Sequence, residues 1–194
     1  MFNSEIVTRD VMAKSMTGSF YLTETVQLTA AALTGSRVQG TIDLGAYVNV
    51  PTGQCVAIES VDFIYQNSTD YGGNVTGMLA ANGAISVQLA DLNPGTAFIR
   101  ADDHSLVASG SLNIDDANSI ATHTSDIYPD NFGPANLSES FLVVNDTLYL
   151  VAGNDAAAVG ASTVFVTARI RCRVAKLTSK DWMAIAIQST AADN

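Results

Sequence analysis

Charge is what this sequence has least of. Asp, Glu, Lys and Arg together make up 14% of its 194 residues, against about 25% in an ordinary soluble domain, and mean hydropathy is +0.21. A monomer relies on surface charge to stay apart from its neighbours. A chain this sparsely charged either sits in lipid or buries much of its outside against partners. No run approaches the ~18 apolar residues that a membrane helix needs, which leaves partner surface as the reading. Lysine is nearly missing, with three residues (Lys14, Lys176, Lys180), and so is glutamate, with four against fifteen aspartates. Glu favours helix interiors, whereas Asp favours turns and caps. Their imbalance points away from a helical protein and toward loops and strands.

Other shortages exclude particular chemistries. The two histidines, His104 and His123, are not spaced with cysteine or with each other as zinc ligands would be. The two cysteines, Cys55 and Cys172, lie far apart. They could pair, but Met1–Glu5 has neither the basic region nor the apolar core of a secretory signal, so buried free thiols are expected. The sequence has no Gly-x-Ser-x-Gly, no phosphate-binding Gly-x-x-x-x-Gly-Lys and no His-Glu-x-x-His. The glycines of residues 72–77 have no lysine after them and read as a β-loop. Asp102-Asp103, Asp115-Asp116, Asp126 and Asp130 could offer oxygen ligands to calcium, but none follows the spaced pattern of a dedicated loop. They read as solvated turn carboxylates. The expectation is a chain that is not an enzyme, with no catalytic residues, no metal, no cofactor and no small-molecule substrate.

What the sequence does have is period-two patterning. Phe20–Thr29 alternates Leu22, Val26 and Leu28 with Thr23, Thr25 and Gln27. Val38–Val50 and Gln54–Gln66 follow, separated by a Pro51-Thr52-Gly53 turn. In the latter segment Val56 and Ile58 lie on one face and Val61, Phe63 and Tyr65 on the other, a phase shift near Ser60 that predicts a bulge. Asn82-Gly83 predicts a hairpin between Val75–Ala81 and Ala84–Asp91. Short strands are expected over Thr96–Arg100, Ser105–Ala108 and Ser111–Ile114. Pattern fails from Asp115 to about Ser138, a long connection of the kind that carries contacts. It resumes at Glu139–Ala152 and Ser162–Leu177. Residues 4–17 predict a short helix or an arm. At the other end Thr178 and Asp181 form a weak capping box for a C-terminal helix, which Trp182, Met183, Ile185 and Ile187 leave apolar nearly all round and hence buried.

These elements predict one all-β domain over residues 1–194. It is a β-sandwich of jelly-roll type with eight or nine strands, an N-terminal arm or helix over 1–18 and a C-terminal helix over 178–190.

Net charge is −10 but unevenly spread. Residues 1–168 hold 4 basic and 17 acidic residues, whereas residues 169–194 hold 5 basic and 2 acidic. The acidic bulk argues against general nucleic-acid binding. The basic end is concentrated in one strand, where Arg169, Arg171 and Arg173 share a face opposite Val164, Val166, Ala168, Ile170, Cys172 and Val174. The plain reading pairs these arginines with carboxylates on neighbouring strands. The sharper readings make them candidates for a subunit interface, where Arg is enriched, or for contact with phosphates of nucleic acid or lipid.

The segments Thr41-Ile-Asp-Leu-Gly-Ala-Tyr-Val-Asn-Val50, Ile58-Glu-Ser-Val-Asp-Phe-Ile-Tyr65 and Val174-Ala-Lys-Leu-Thr-Ser-Lys-Asp-Trp-Met183, set in an eight-strand pattern with one long irregular connection, resemble single jelly-roll viral capsid proteins. The resemblance is architectural and spans most of the chain. It implies a self-assembling structural subunit, a major capsid protein located in the virion and synthesised in host cytoplasm. It implies copies of itself as partners, and leaves open a second capsid protein and a membrane or genome on the inner face. The chain departs from many such proteins in lacking a strongly basic N-terminal arm, which does not suit direct genome packaging. The other readings are a β-sandwich binding module (a carbohydrate-binding, adhesin or fibre domain), which needs an exposed aromatic platform, and an enzyme of cupin type, which needs a histidine cluster.

Overall fold

The period-two segments become strands, and their pairing fixes the architecture. The computed structural model describes residues 13–72, 74–125 and 141–190. The strands are β1 Lys14–Ser15, β2 Phe20–Leu28, β3 Arg37–Asp43, β4 Gln54–Asn67, β5 Gly83–Ala90, β6 Leu106–Asp115, β7 Ile120–Ser125, β8 Phe141–Val143, β9 Thr147–Asp155 and β10 Val164–Lys176, followed by α1, Ser179–Thr190.

With β1 and β7 set aside, eight strands remain, and they pair in nested order. The first pairs with the last (β2 with β10), the second with the next to last (β3 with β9), then β4 with β8 and β5 with β6, all antiparallel. A long ribbon folded on itself pairs in this way. Rolling it up brings β10 beside β4 and β9 beside β5. The result is two facing sheets, β2-β10-β4-β8 and β3-β9-β5-β6, which is an eight-stranded jelly roll. β1 adds to the C-terminal end of β10, and β7 adds a fifth strand beside β6.

The core lies between the sheets. Leu28, Val56, Ile58, Ile85, Val87, Leu89, Leu148, Leu150, Val164, Val166, Ala168, Ile170 and Cys172 are buried there. The predicted phase shift is a bulge in β4. Ser60 pairs with Arg171 and Ile58 with Cys172, so Glu59 has no partner across the ladder. One extra residue resets the alternation, which is why Val56 and Ile58 before it and Val61 and Phe63 after it all reach the same core. A smaller cluster of Cys55, Ala57, Val144, Ala175 and Leu177 sits on the outer face of this sheet, beneath Trp182, Ile185 and Ala186 of α1. The two cysteines thus occupy opposite faces of one sheet as free, buried thiols. Burial pushes both up to about 12, with the charge of Glu59 contributing at Cys172.

Several expectations give way to tertiary pairing. Asn82-Gly83 closes no hairpin. Residues Thr76–Met78 form a 3-10 turn and Leu79 makes an isolated bridge to Val159, while β5 draws its partners from β6 and β9. Glycine is required at 83 by close approach, since a Cβ there would lie 2.6 Å from the carbonyl oxygen of Asp155. Thr96–Arg100 is a loop laid over the outer face of the second sheet. Gln88 donates to the carbonyl of Ile99 and accepts from its N–H, both at 2.8 Å, and the Arg37 guanidinium lies 4.5 Å from the Phe98 ring centre. Ser105–Ala108 and Ser111–Ile114 merge into β6. Glu139–Ala152 is divided: β8 belongs to one sheet and β9 to the other, with residues 144–146 crossing between them. The long connection contains a 3-10 turn, Asp116–Asn118, and the edge strand β7, and its remainder over 126–138 lies outside the described residues. Of the predicted N-terminal helix, residues 4–12 also lie outside them, and Lys14–Ser15 is strand.

The capping box at 178 is present. Thr178 Oγ1 accepts from the Asp181 N–H at 3.2 Å and donates to its carboxylate at 2.7 Å. Replacing Thr178 with Ala should cost about 1 kcal/mol of helix stability, read as faster amide exchange across α1 with the strands unchanged. The helix is not buried all round, however. Trp182, Ile185 and Ala186 cover the sheet, while Met183 and Ile187 are 60% and 64% exposed.

Candidate assembly surface

The alternation of β10 places Phe165, Thr167, Arg169, Arg171 and Arg173 on the outer face of the first sheet. The bulge in β4 turns Glu59 to the same face. Two of the three predicted arginines converge on it. Arg171 Nε lies 3.0 Å from Glu59 Oε2, and Arg173 makes both a hydrogen bond and an ion pair to Oε1. Ser19 Oγ is within 3.0 Å of Oε1 and 2.9 Å of Oε2. Glu59 is 1% exposed. An ionised carboxylate survives such burial only when its oxygens are satisfied by charge and hydrogen bonds, and this one is. The plain reading of the arginine stripe therefore holds for Arg171 and Arg173. The sequence signal that could have singled out Glu59 is the phase shift itself, since it exchanges the faces of the residues on either side.

Arg169 is different. It is exposed and lies over the Tyr21 ring, 4.9 Å from its centre. Its neighbours across the sheet are Thr23 on β2 and the exposed Asp62 on β4. Above this row, Thr25, Thr167 and Ile64 align, then Gln27, Phe165 and Gln66. The outer face of β2, β10 and β4 along these rows is thus mixed, with aromatic, aliphatic, Thr, Gln, Asp and Arg side chains and no Lys.

A second exposed region borders α1. Met16 is hydrogen-bonded through its backbone to Val174 and is 49% exposed. Val50, in the turn whose Gly53 packs against the Leu177 carbonyl, is 59% exposed. Met183 and Ile187 on α1 are exposed as well.

The remaining candidate residues are scattered. His123 on β7 meets the edge of Tyr65, ring centres 5.6 Å apart, and His104 lies in the loop before β6. Asp103 Oδ1 accepts from Ser105 N at 2.9 Å and Oγ at 2.7 Å, and Asp115 caps the 3-10 turn through Asn118. Asp126 and Asp130 lie outside the described residues. Among the described residues, no group of three or more His, Cys, Asp or Glu side chains is placed to hold a metal. One carboxylate escaped the sequence reading altogether. Asp91, at the end of β5, is 1% exposed beside a cavity of about 220 Å³ lined by Asn93, Asn145, Asp146, Thr147 and Tyr149. Its Oδ1 has no hydrogen-bond partner among the described residues. No helix among the described residues is long and apolar enough to cross a membrane.

No protein-family model matches the sequence, and no curated protein matches it. Among solved structures the chain is similar to the BFDV capsid protein, solved as a decamer, with 10% identity, covering 83% of this chain and 99% of that one at a TM-score of 0.38. It is also similar to Desmodium yellow mottle tymovirus, with 12% identity, covering 84% of this chain and 85% of that one at a TM-score of 0.32. For maize chlorotic mottle virus the identity is 15%, the coverage 82% and 96%, and the TM-score 0.28. At such distance, the role of this chain has to be read from its own residues.

Proposed function

We propose that this chain is a non-catalytic structural subunit that self-assembles, of the viral capsid type, and that copies of itself are its main partners. The observation that carries this reading is the exposure of the apolar side chains Met16, Val50, Met183 and Ile187, the last two on a helix whose other side is already used by the sheet. A chain with 14% charged residues has little to keep such side chains apart from a neighbour's, and obligate interfaces are large and apolar. Repetition of modest contacts by symmetry then stabilises a closed assembly. A virion location and synthesis in a host cytoplasm follow from the same reading, as does room for a second capsid protein, a membrane or a genome against one face.

The binding-module reading needs an aromatic platform. The exposed tyrosines of the described residues do not make one. Tyr21 pairs with Arg171 near one end of the first sheet, and Tyr71 follows β4 at the other end.

The test is the size distribution of the purified protein by light scattering and negative-stain microscopy, for the wild type and for a Val50→Asp, Met183→Asp variant. The wild type should form uniform high-order particles. The variant should stay small at concentrations where the wild type assembles, with its melting temperature nearly unchanged, because both side chains already face solvent in the single copy. A wild type that remains a monomer at every salt and concentration overturns the reading.

A further inference from the structure

The outer face of β2, β10 and β4 sets one exposed charge of each sign side by side. Arg169 and Asp62 are direct partners across the β10–β4 ladder. Both are exposed. Arg169 rests on Tyr21, and among the described residues Asp62 has no ion-pair partner. Arg171 and Arg173 share the single carboxylate of Glu59, so one positive charge remains at that end of the stripe, away from the Arg169–Asp62 row. Around the pair lie Tyr21, Thr23, Thr25, Thr167, Ile64 and Phe165. Aromatic residues and Arg are enriched in protein interfaces, whereas Lys and Glu are depleted. The described part of this chain lays α1 over the Cys55–Ala57 end only.

We infer that this face is an isologous docking surface for a second copy of the chain, with Arg169 and Asp62 as its reciprocal charge pair. The inference rests on the self-assembly reading and names one of its contacts. The argument is charge complementarity. A two-fold axis parallel to the strands and between β10 and β4 exchanges the two strand positions across the gap. It sets Arg169 of each copy over Asp62 of the other, Thr167 over Ile64, and Phe165 over Gln66. A face with a single uncompensated sign would repel its own copy under that operation. The Arg169–Asp62 row is complementary to itself, as an isologous contact requires. Face-to-face sheets pack about 10 Å apart, a gap that an arginine reaching from one sheet and an aspartate from the other can close.

The test is a charge reversal read by sedimentation velocity across a wide concentration range. Arg169→Asp alone opposes two aspartates at each contact, and Asp62→Arg alone opposes two arginines. Each single variant should weaken self-association by about tenfold or more, since like charges facing across an interface are strongly unfavourable. An equimolar mixture of the two single variants should associate like the wild type, because each contact again joins Arg to Asp. The double variant should do the same. Melting temperatures of all variants should stay close to the wild type, as both residues are exposed. If the wild type assembles and every variant assembles equally, the contact lies elsewhere, and the assembly reading stands without this inference. If the double variant recovers but the mixture does not, the pair acts within one chain and the inference fails. Capture of anionic vesicles or of single-stranded oligonucleotide, lost in Arg169→Asp with no change in oligomer size, would also overturn it. A wild type that never associates removes the assembly reading and the inference together.

Discussion

Glu59→Ala should lower the melting temperature by about 6–12 °C. The substitution removes the one carboxylate that Arg171 and Arg173 share. Arg173 is 18% exposed at its side chain and cannot turn freely into water, whereas Arg171, at 41%, can recover part of its hydration. Breaking a buried pair by deleting one partner typically costs 3–5 kcal/mol, because the surviving charge is left uncompensated. The partial exposure of Arg171 argues for the lower end, about 3 kcal/mol, and for a chain of this length each kcal/mol is worth about 2–4 °C. Glu59→Gln keeps the shape and one acceptor, and should fall between Ala and wild type. Ser19→Ala removes one hydroxyl donor from a carboxylate that retains both arginines, so it should cost only about 1 kcal/mol. Arg169→Ala, whose partners are an exposed ring and solvent, should change stability by no more than about 0.5 kcal/mol. This ordering, checked by thermal melts of the four variants, separates a structural ion cluster from a stripe held in reserve for a ligand. If Glu59→Ala melts with the wild type, the cluster is not what anchors β10 to β4 at the bulge.

The parts of the fold legible in the sequence are those set by local alternation. β2, β4 and β10 bury the residues that period two assigns to one face, and the bulge follows from a phase shift that no straight strand can accommodate. The parts that were not legible are set by partners distant in sequence. Asn82-Gly83 has the chemistry of a tight hairpin, but β5 is a central strand that gains more from β6 and β9 than from a local return. Glu139–Ala152 reads as one strand because Phe141–Val143 and Thr147–Asp155 are both apolar in alternation, and only the topology shows that they belong to different sheets. In α1 the apolar composition suggested complete burial. The sheet offers contact to one side only, so Trp182, Ile185 and Ala186 at spacings of three and four are covered, while Met183 and Ile187 are left outside. At the candidate site, the facing of Arg169, Arg171 and Arg173 was legible, but their division was not. That division depends on where the bulge puts Glu59. Asp91 gave no signal, since its burial is produced by the crossing of residues 144–146 at the end of the sandwich.

That buried aspartate should make the protein less stable as the pH rises from about 4 toward neutrality. Burial raises the Asp91 carboxyl from 3.8 to about 7, against smaller opposing contributions from its own backbone and Asn145, whose amide donates to the Asp91 carbonyl at 3.0 Å and to Oδ2 at 3.3 Å. The negative charge of Asp103 adds to the rise. Because the folded value lies above the unfolded one, the folded state holds the proton more tightly. The stabilisation this provides is fully present below about pH 4, declines as the pH climbs, and is gone above about pH 7. Each tenfold gain in proton affinity on folding is worth about 1.4 kcal/mol. A rise of this size therefore corresponds to about 4 kcal/mol between acid and alkaline limits, before other groups are counted. Asp91→Asn supplies the control. Its amide oxygen can still accept from Asn145, and it has no proton to lose. The variant should match the wild type near pH 4 and exceed it above pH 7.5, so that the difference between the two melting curves, followed from pH 4 to 9, grows from about pH 4 and levels off near pH 7. Paired curves with a constant offset across that range would mean that Asp91 ionises at its ordinary value and that the end of the sandwich is open to water.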